Sequence, residues 1–358
     1  MGLRSTAANL SKIRKPTLLR KIIRTPLKPN PKDVSTKKEK SAQEKLEVLD
    51  HNIELDFELR GSTSIVEAID RVISNQWAEQ TLFHNRYFCQ DAKKSARDSP
   101  QDLLFLLRGL SMEVKAEILK YRNHQLPRGG MVTVNQLYTV FEHRGNTFVD
   151  RSLEKCIRDG LVMKFVITNA LPVILRSGKS GTYHKVTYGY ENSEVVVKKE
   201  QYLRLIDESM GKEKPELSLV KFKEYVMSHP EALFVTTEDF SVEEITKLVK
   251  LGFLTLTSNH HNEIDIHDYA LAYPKCGTFL KIVNSGRAWL VRILSKMTYK
   301  EMLEDTIYEK WEGKIMANFR RPFYGYDLTW ILADSWGSGV VEPFNTPVGR
   351  GWRLTGKL

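Results

Sequence analysis

Apolar residues recur at helical spacing in several separate stretches of the chain. The apolar residues from Ile65 to Ile73 fall on one helix face, and Ser62 or Ser64 is placed to cap that helix. A second apolar pattern predicts one long helix over Gln101–Tyr121, and the breaker Pro127–Gly130 follows it. The region before residue 130 is therefore predicted to be mainly helical.

After residue 130, a unit of helix, turn, helix, strand, polar loop and strand recurs three times. The second helices of the three units are predicted at Thr147–Asp159, Val242–Leu251 and Tyr326–Trp336. Each ends at or next to a glycine, where a left-handed backbone costs least, and an apolar strand follows. The polar loops are predicted at Ser177–Thr182, Ser258–Asp268 and Asn345–Gly351. This order is that of a winged helix, whose second helix enters the DNA major groove and whose loop is the wing.

We therefore predict an α+β fold with three tandem winged-helix domains behind a basic tail. The tail covers residues 1–50 and is predicted to be disordered. The first winged helix, with a helical N-terminal extension or insertion, covers 51–210, the second covers 211–297, and a shortened third covers 298–358. Repetition favours an array of binding modules over one enzyme with one pocket. Winged helices also dock proteins, so a protein-bridging array without DNA contact stays open.

Basic residues are concentrated at the N-terminus. The chain has 54 Lys and Arg against 44 Asp and Glu, and its first 40 residues hold 12 basic and two acidic residues. These 40 residues therefore carry the entire excess of +10. Their prolines interrupt helices and their like charges repel, which predicts disorder. Because the rest of the chain is electrically balanced, a surface that binds anions there must be a local patch.

The tail fits three kinds of targeting signal and one neutral role. Its clusters Lys12–Lys15, Arg20–Arg24 and Lys37–Lys40 fit a nuclear-import signal and a loose nucleic-acid arm. An arginine-rich start with few acidic residues also fits a mitochondrial transit peptide. Gly2 and Thr6 match an N-myristoylation pattern. A solubilising tail without an address is the fourth interpretation.

Hydropathy and cysteine content argue against membrane and secreted classes. No apolar run approaches the roughly 18 residues of a membrane span, and the apolar core of a secretory signal is missing. Cys89, Cys156 and Cys276 are too scattered for a disulfide framework. A reducing compartment, the cytosol or the nucleus, is expected.

The enzyme and metal signatures in this chain are incomplete. Gly178–Ser180 resembles the end of a phosphate loop, but Val173 occupies the position of its first glycine. Residues 239–241 read Asp-Phe-Ser where a kinase has Asp-Phe-Gly, and residues 143–145 read His-Arg-Gly where it has His-Arg-Asp. The histidines at 260, 261 and 267 lack zinc-site companions. We expect no catalytic residue, cofactor or metal.

The first candidate DNA-binding cluster lies in the first unit. Arg151 and Lys155 on its second helix are four residues apart and share a face. The predicted wing adds Arg176 and Lys179, beside glycines that allow a tight tip. Contacts of such residues with phosphates would depend strongly on salt and little on DNA sequence.

The second candidate cluster lies in Lys275–Lys300, which contains no acidic residue and interleaves basic with apolar positions. This pattern predicts a packed helix with a basic outer face. The candidate residues in it are Lys281, Arg287, Arg292, Lys296 and Lys300. Arg321 would extend the stripe into the third unit. The helix Val242–Leu251 instead begins with two glutamates, which oppose phosphate, so we expect it not to read DNA.

Several short blocks, in order and spacing, resemble the serine/threonine-protein kinase 19 family over roughly residues 130–354. The blocks are Thr147-Phe-Val-Asp-Arg-Ser-Leu, Glu244-Ile-Thr-Lys-Leu-Val-Lys-Leu-Gly-Phe-Leu-Thr, Gly277-Thr-Phe-Leu-Lys, Gly286-Arg287, Tyr299-Lys-Glu-Met-Leu and Tyr326-Asp-Leu. None of them is a catalytic signature. Where the family carries a further basic residue, this chain has Ser295, and Arg292 is a nearby substitute.

The resemblance implies three tandem winged helices, a nuclear location and binding of double-stranded DNA. Its DNA-facing positions fall on Arg151, Lys281, Arg287, Lys296 and Lys300. It also implies a role in transcription-coupled nucleotide-excision repair, with RNA polymerase II and repair factors as protein partners. A second copy of the chain is a further candidate partner, and no membrane is expected. The family name leaves a serine/threonine kinase linked to Ras signalling as an alternative function.

Overall fold

Twelve α-helices and four small antiparallel sheets form the part of the chain described by a computed structural model. That part comprises residues 57, 59, 61–82, 100–167, 174–176, 183–185, 193–210, 217–256, 269–313 and 316–356, all within one compact unit, residues 47–358. The predicted tail, most of the predicted first wing and the loop Ser258–Asp268 lie outside these residues.

The helices are α1 (Ile65–Ser74), α2 (Ala78–Leu82), α3 (Pro100–Leu106), α4 (Met112–Gln125), α5 (Val134–Val140), α6 (Asn146–Arg158), α7 (Lys199–Ser209), α8 (Leu217–Ser228), α9 (Val242–Leu251), α10 (Cys276–Ser295), α11 (Glu304–Glu312) and α12 (Leu328–Gly337). The strands are β1 (Val132–Thr133), β2 (Val162–Ile167), β3 (Ile174–Arg176), β4 (Tyr183–Lys185), β5 (Ser193–Lys198), β6 (Phe234–Val235), β7 (Leu254–Leu256), β8 (Tyr269–Leu271), β9 (Glu301–Leu303), β10 (Val341–Thr346) and β11 (Gly349–Leu354).

The first sheet has the order β1–β5–β2, and α1 packs on α5 and α6 beside it. Thr133 caps α5: its hydroxyl accepts from the Gln136 N–H, and the Gln136 side chain accepts from the Thr133 N–H. The order helix, strand, helix, helix, strand, strand is that of a winged helix. Strands β3 and β4 form a separate hairpin between β2 and β5.

The same order recurs in α10, β9, α11, α12, β10 and β11, whose sheet has the order β10–β11–β9. Here β10 runs to Thr346 and β11 begins at Gly349. The polar loop predicted at Asn345–Gly351 is therefore wrong in extent, since strand pairing shortens it to two residues. The sheet β6–β8–β7 is accompanied by α8 and α9, and between β6 and α9 the chain makes a turn held by Thr236 and Asp239.

These elements confirm the predicted α+β class, and the small three-stranded sheets are consistent with winged helices. The predicted single helix over Gln101–Tyr121 is wrong, because α3 ends at Leu106 and a new helix begins at Met112. The Ser111 hydroxyl accepts from the Val114 N–H and caps α4. Gly109 adopts a positive φ of 89° in the break.

Helix α12 packs along α5. This contact joins the region of the sheet β10–β11–β9 to the region of the sheet β1–β5–β2. Two side chains of α5 reach the α12 backbone: Gln136 donates to the Trp330 carbonyl at 3.0 Å and Thr139 to the Ala333 carbonyl at 2.6 Å. Helix α10 lies before the boundary predicted at residue 298, yet it packs on α12 and β11, which follow that boundary.

We expect Gly337→Ala to destabilise the protein by about 1–3 kcal/mol, because a Cβ atom there would lie 1.8 Å from the Asn135 carbonyl oxygen. Thermal melting measures this change. Gly277→Ala on α10 is the control, since its Cβ would meet nothing within 4 Å. Equal melting temperatures for the two variants would show that the α5–α12 approach is not tight.

Candidate nucleic-acid interface

Helix α10 separates an apolar face from a basic one. Phe279, Ile282, Val283, Leu290 and Leu294 are buried in the core. On the outer side Lys281, Arg292 and Lys296 are exposed, and we call these three residues the α10 stripe. They lie on one side of the helix because offsets of 11 and 15 residues return the helix to within about 60° of its starting direction.

The α10 stripe is about 22 Å long, from the 1.5 Å rise per residue over 15 residues. Between its cations this side carries the half-buried Asn284, Ser285 and Ala288, with the half-buried Trp289 at its edge, and none of these side chains is charged. Among the described residues no carboxylate forms an ion pair with Lys281, Arg292 or Lys296. The stripe is therefore available to an external anion.

A cleft of about 380 Å³ connects the α10 stripe with the first sheet. Lys281, Asn284 and Ser285 line it from α10, and Ile167 and Ser193 line it from the ends of β2 and β5. Those two strand ends are where the predicted wing leaves the sheet. The tertiary structure thus places the base of the predicted wing beside Lys281.

The stripe continues into a short exposed turn after α10. Residues 295–300 are all exposed, and Tyr299 and Lys300 lie in this turn. Lys300 was predicted as a DNA contact and Tyr299 was not, although the position of Tyr299 between Lys296 and Lys300 was a usable signal.

Arg151 and Lys155 are exposed on α6, as predicted, while Val149, Leu153 and Ile157 hold that helix on the core. Their surroundings are electrically mixed, because Asp150 and Glu154 are exposed on the same helix. The Tyr138 hydroxyl donates to Asp150 at 2.7 Å. Burial, and then this bond to a carboxylate, raise the pKa of Tyr138 above its ordinary value, so the hydroxyl keeps its proton.

Arg287 is not part of the interface, which corrects its assignment as a DNA contact. Its side chain is buried, and its Nη2 lies 2.5 Å from Oδ2 of the fully buried Asp334 on α12. The Thr133 hydroxyl donates to the other Asp334 oxygen at 2.7 Å. The helical period was the missed signal, since it places Arg287 about 120° away from Lys281.

Three further residues were predicted as DNA contacts, and the structure places them in different settings. Arg321 is exposed, and its Nε lies 3.4 Å from Glu117 in a solvated ion pair, so it is not a free cation. Arg176 lies on β3, where the structure describes only the backbone. Lys179 lies outside the described residues.

Helix α12 holds the position of a recognition helix but is buried from Leu328 to Ser335, apart from Thr329, which is partly exposed. It packs on α5, α10 and β10 and cannot enter a major groove. Helix α9 holds the same position beside the sheet β6–β8–β7; Ile245 and Leu248 are buried, and the opposite face of the helix is exposed. Its outer face carries Val242, 74% exposed, and Val249, 39% exposed, with Glu243 beside them.

The described residues offer little for catalysis or metal binding. Burial raises the pKa of the Cys276 thiol to about 12, and burial followed by Asp159 raises that of Cys156, so both thiols are poor nucleophiles. No cluster of three metal-ligating side chains occurs in the described part of the chain. Nor does any helix there combine the length and apolarity needed to cross a bilayer.

Comparison with known proteins agrees with the resemblance found in the sequence. Residues 101–354 match the family described as "Inactive serine-threonine protein kinase 19". A similar protein, "Serine/threonine-protein kinase mug51" of Schizosaccharomyces pombe, is 28% identical over 140 residues. This match covers 39% of the present chain and 43% of the yeast protein, so it spans less than half of that relative.

The family match extends from α3 to the end of β11 and includes the α10 stripe, the base of the first wing and α6. It covers well over half of the chain, and the family description names its members inactive as kinases. The chain therefore belongs to the inactive serine-threonine protein kinase 19 family.

Proposed function

We propose that the protein is a non-enzymatic, nuclear scaffold of three tandem winged helices that binds double-stranded DNA. The observation that carries the proposal is the α10 stripe: three exposed cations on one helix face, without a carboxylate partner among the described residues, beside the strand ends where a wing leaves the first sheet. Such a face neutralises phosphates and is indifferent to base sequence.

The three domains divide this task unequally. The first contributes α6, with Arg151 and Lys155, and the wing base. The third contributes the α10 stripe from its first helix, since its own recognition helix α12 is buried. The second contributes no basic recognition helix, because α9 begins with Glu243 and Glu244.

The exposed valines of α9 favour protein docking as a second function of the same scaffold. Docking there would leave the α10 stripe on DNA, so that one chain connects DNA with a protein. A place in transcription-coupled nucleotide-excision repair, with RNA polymerase II and repair factors as partners, is part of the proposal on the basis of the family resemblance.

We expect the full chain to bind any duplex of about 20 base pairs in a salt-dependent way, measured by fluorescence anisotropy. With at least four phosphate contacts, from the α10 stripe and Lys300, the affinity should fall at least about 100-fold between roughly 50 and 200 mM salt. Two duplexes of unrelated sequence should bind with the same affinity. A salt-independent affinity would contradict the proposal.

The kinase alternative is tested with the same sample. The yeast relative is named a kinase, whereas the family is described as inactive. We expect no binding of ATP with Mg²⁺ by isothermal titration calorimetry, because residues 239–241 and 143–145 lack the kinase signatures. Saturable nucleotide binding would reopen the alternative.

A further inference from the structure

Tyr299 is the most exposed large apolar or aromatic residue in the described part of the chain, at 82% exposure. A single exposed aromatic ring is ordinary on a protein surface. Two further observations distinguish this one: the rigidity of its turn and the charges around it.

The turn that carries Tyr299 is fixed by three backbone hydrogen bonds. The Met297 N–H donates to the Leu294 carbonyl at 3.0 Å, and the Lys300 N–H donates to the Met297 carbonyl at 3.1 Å. The Leu354 N–H then donates to the Lys300 carbonyl at 3.2 Å, which ties the turn to the end of β11. The ring is therefore presented on a backbone that is already ordered.

Lys300 adopts a left-handed backbone conformation with φ of 57°, which residues other than glycine rarely adopt. This strain is maintained by the turn, and strain of this kind is concentrated at functional positions. Tyr299 directly precedes this residue, and Met297, itself 40% exposed, lies two residues before Tyr299.

The charges around the ring point to a polyanion. Lys296 and Lys300 flank Tyr299 and are exposed, and neither forms an ion pair with a carboxylate among the described residues. The nearest acidic residue in sequence is Glu301, at the start of β9. Cations on both sides of a free aromatic ring are the arrangement by which proteins hold a phosphate backbone while a base stacks on the ring.

We propose that Tyr299 stacks on an unpaired base, so that the preferred ligand is DNA with a junction between duplex and single strand. The α10 stripe would hold the duplex side, and the turn at its C-terminal end would receive the first unpaired nucleotide. Inside a fully paired duplex no base face is free for the ring, because each base is stacked on both of its neighbours. This inference rests on the proposed DNA binding and adds to it the form of DNA that is recognised.

The test compares Tyr299→Ala with Tyr299→Phe in the full chain. The probes are a blunt duplex and the same duplex with a single-stranded thymine overhang, measured by anisotropy. Wild type and Tyr299→Phe should prefer the overhang, and Tyr299→Ala should lose about 10-fold or more on the overhang but less than about 2-fold on the blunt duplex. A 2-aminopurine base at the first unpaired position should be quenched by wild type and Tyr299→Phe but not by Tyr299→Ala.

Equal affinity of wild type for both probes, equal losses of Tyr299→Ala on both, or unchanged quenching would overturn the inference while leaving duplex binding intact. Failure of wild type to bind either probe would instead overturn the proposed function itself. The two failures are therefore distinguishable in one set of titrations.

Discussion

The double variant Lys281→Glu with Lys296→Glu is expected to lose duplex DNA binding by at least about 50-fold near 0.1 M salt, because each phosphate contact adds about 0.9 to the salt slope. The two lysines lie at opposite ends of the α10 stripe, so their reversal places a negative charge at each end and leaves Arg292 as its only cation. The slope of log affinity against log salt should decrease by about two. Anisotropy titrations at several salt concentrations measure both quantities.

The matched control is Lys250→Glu with Lys310→Glu, which changes the net charge equally at exposed positions on α9 and α11. We expect its affinity to stay within about 3-fold of wild type, because neither lysine belongs to the α10 stripe and the effect of net charge alone is weakened by screening at 0.1 M salt. Equal losses in the two double variants would mean that net charge, and not the stripe, binds DNA. Melting temperatures of both should match wild type, since all four lysines are exposed.

Arg287→Ala is expected to destabilise the fold by about 3–5 kcal/mol, because it leaves the Asp334 carboxylate buried without its cationic partner. Asp334 is fully buried and would retain only the Thr133 hydroxyl as a donor among its present side-chain partners. At roughly 2–4 °C per kcal/mol for a chain of this size, the melting temperature should fall by about 10 °C. Thermal melting followed by circular dichroism measures the change.

Arg292→Ala is the matched control, because it makes the same substitution five residues further along α10 at an exposed position. It should leave the melting temperature unchanged and weaken DNA binding. Arg287→Ala should lower the melting temperature and leave DNA binding unchanged when binding is measured below its melting transition. Replacing both partners, Arg287→Met with Asp334→Leu, should recover much of the lost stability. An Arg287→Ala variant of normal stability with lost DNA affinity would restore Arg287 to the interface.

The local pattern of apolar, capping and glycine residues was sufficient to predict most of the helices. Helix α9 has the predicted bounds, Val242–Leu251, and α6 lies within one residue of its predicted bounds. These elements follow from signals within a few residues. In α9, the capping box of Ser241 and Glu244 marks the start of the helix, and the left-handed Gly252 marks its end. The strands β1, β6 and β9 were missed because two or three residues show no periodicity.

The candidate interface was only partly predictable. The sequence predicts a basic face on α10, and four of the five candidates from Lys281 to Lys300 are exposed in the structure. The sequence could not show the cleft between Lys281 and the ends of β2 and β5, because those residues are more than 80 positions apart. Nor could it show that α12 is buried by α5, since that contact depends on how distant helices pack.

Most helices and the positions of positive charge follow from the sequence alone, because helix periodicity, caps and residue charge are local properties. Which of the cations face solvent depends on the folded chain. Asp334 reaches Arg287 from 47 positions away and removes it from the surface, while Lys281, Arg292 and Lys296 face outward. Burial and ion pairing depend on contacts between distant segments, and only the folded chain brings those segments together.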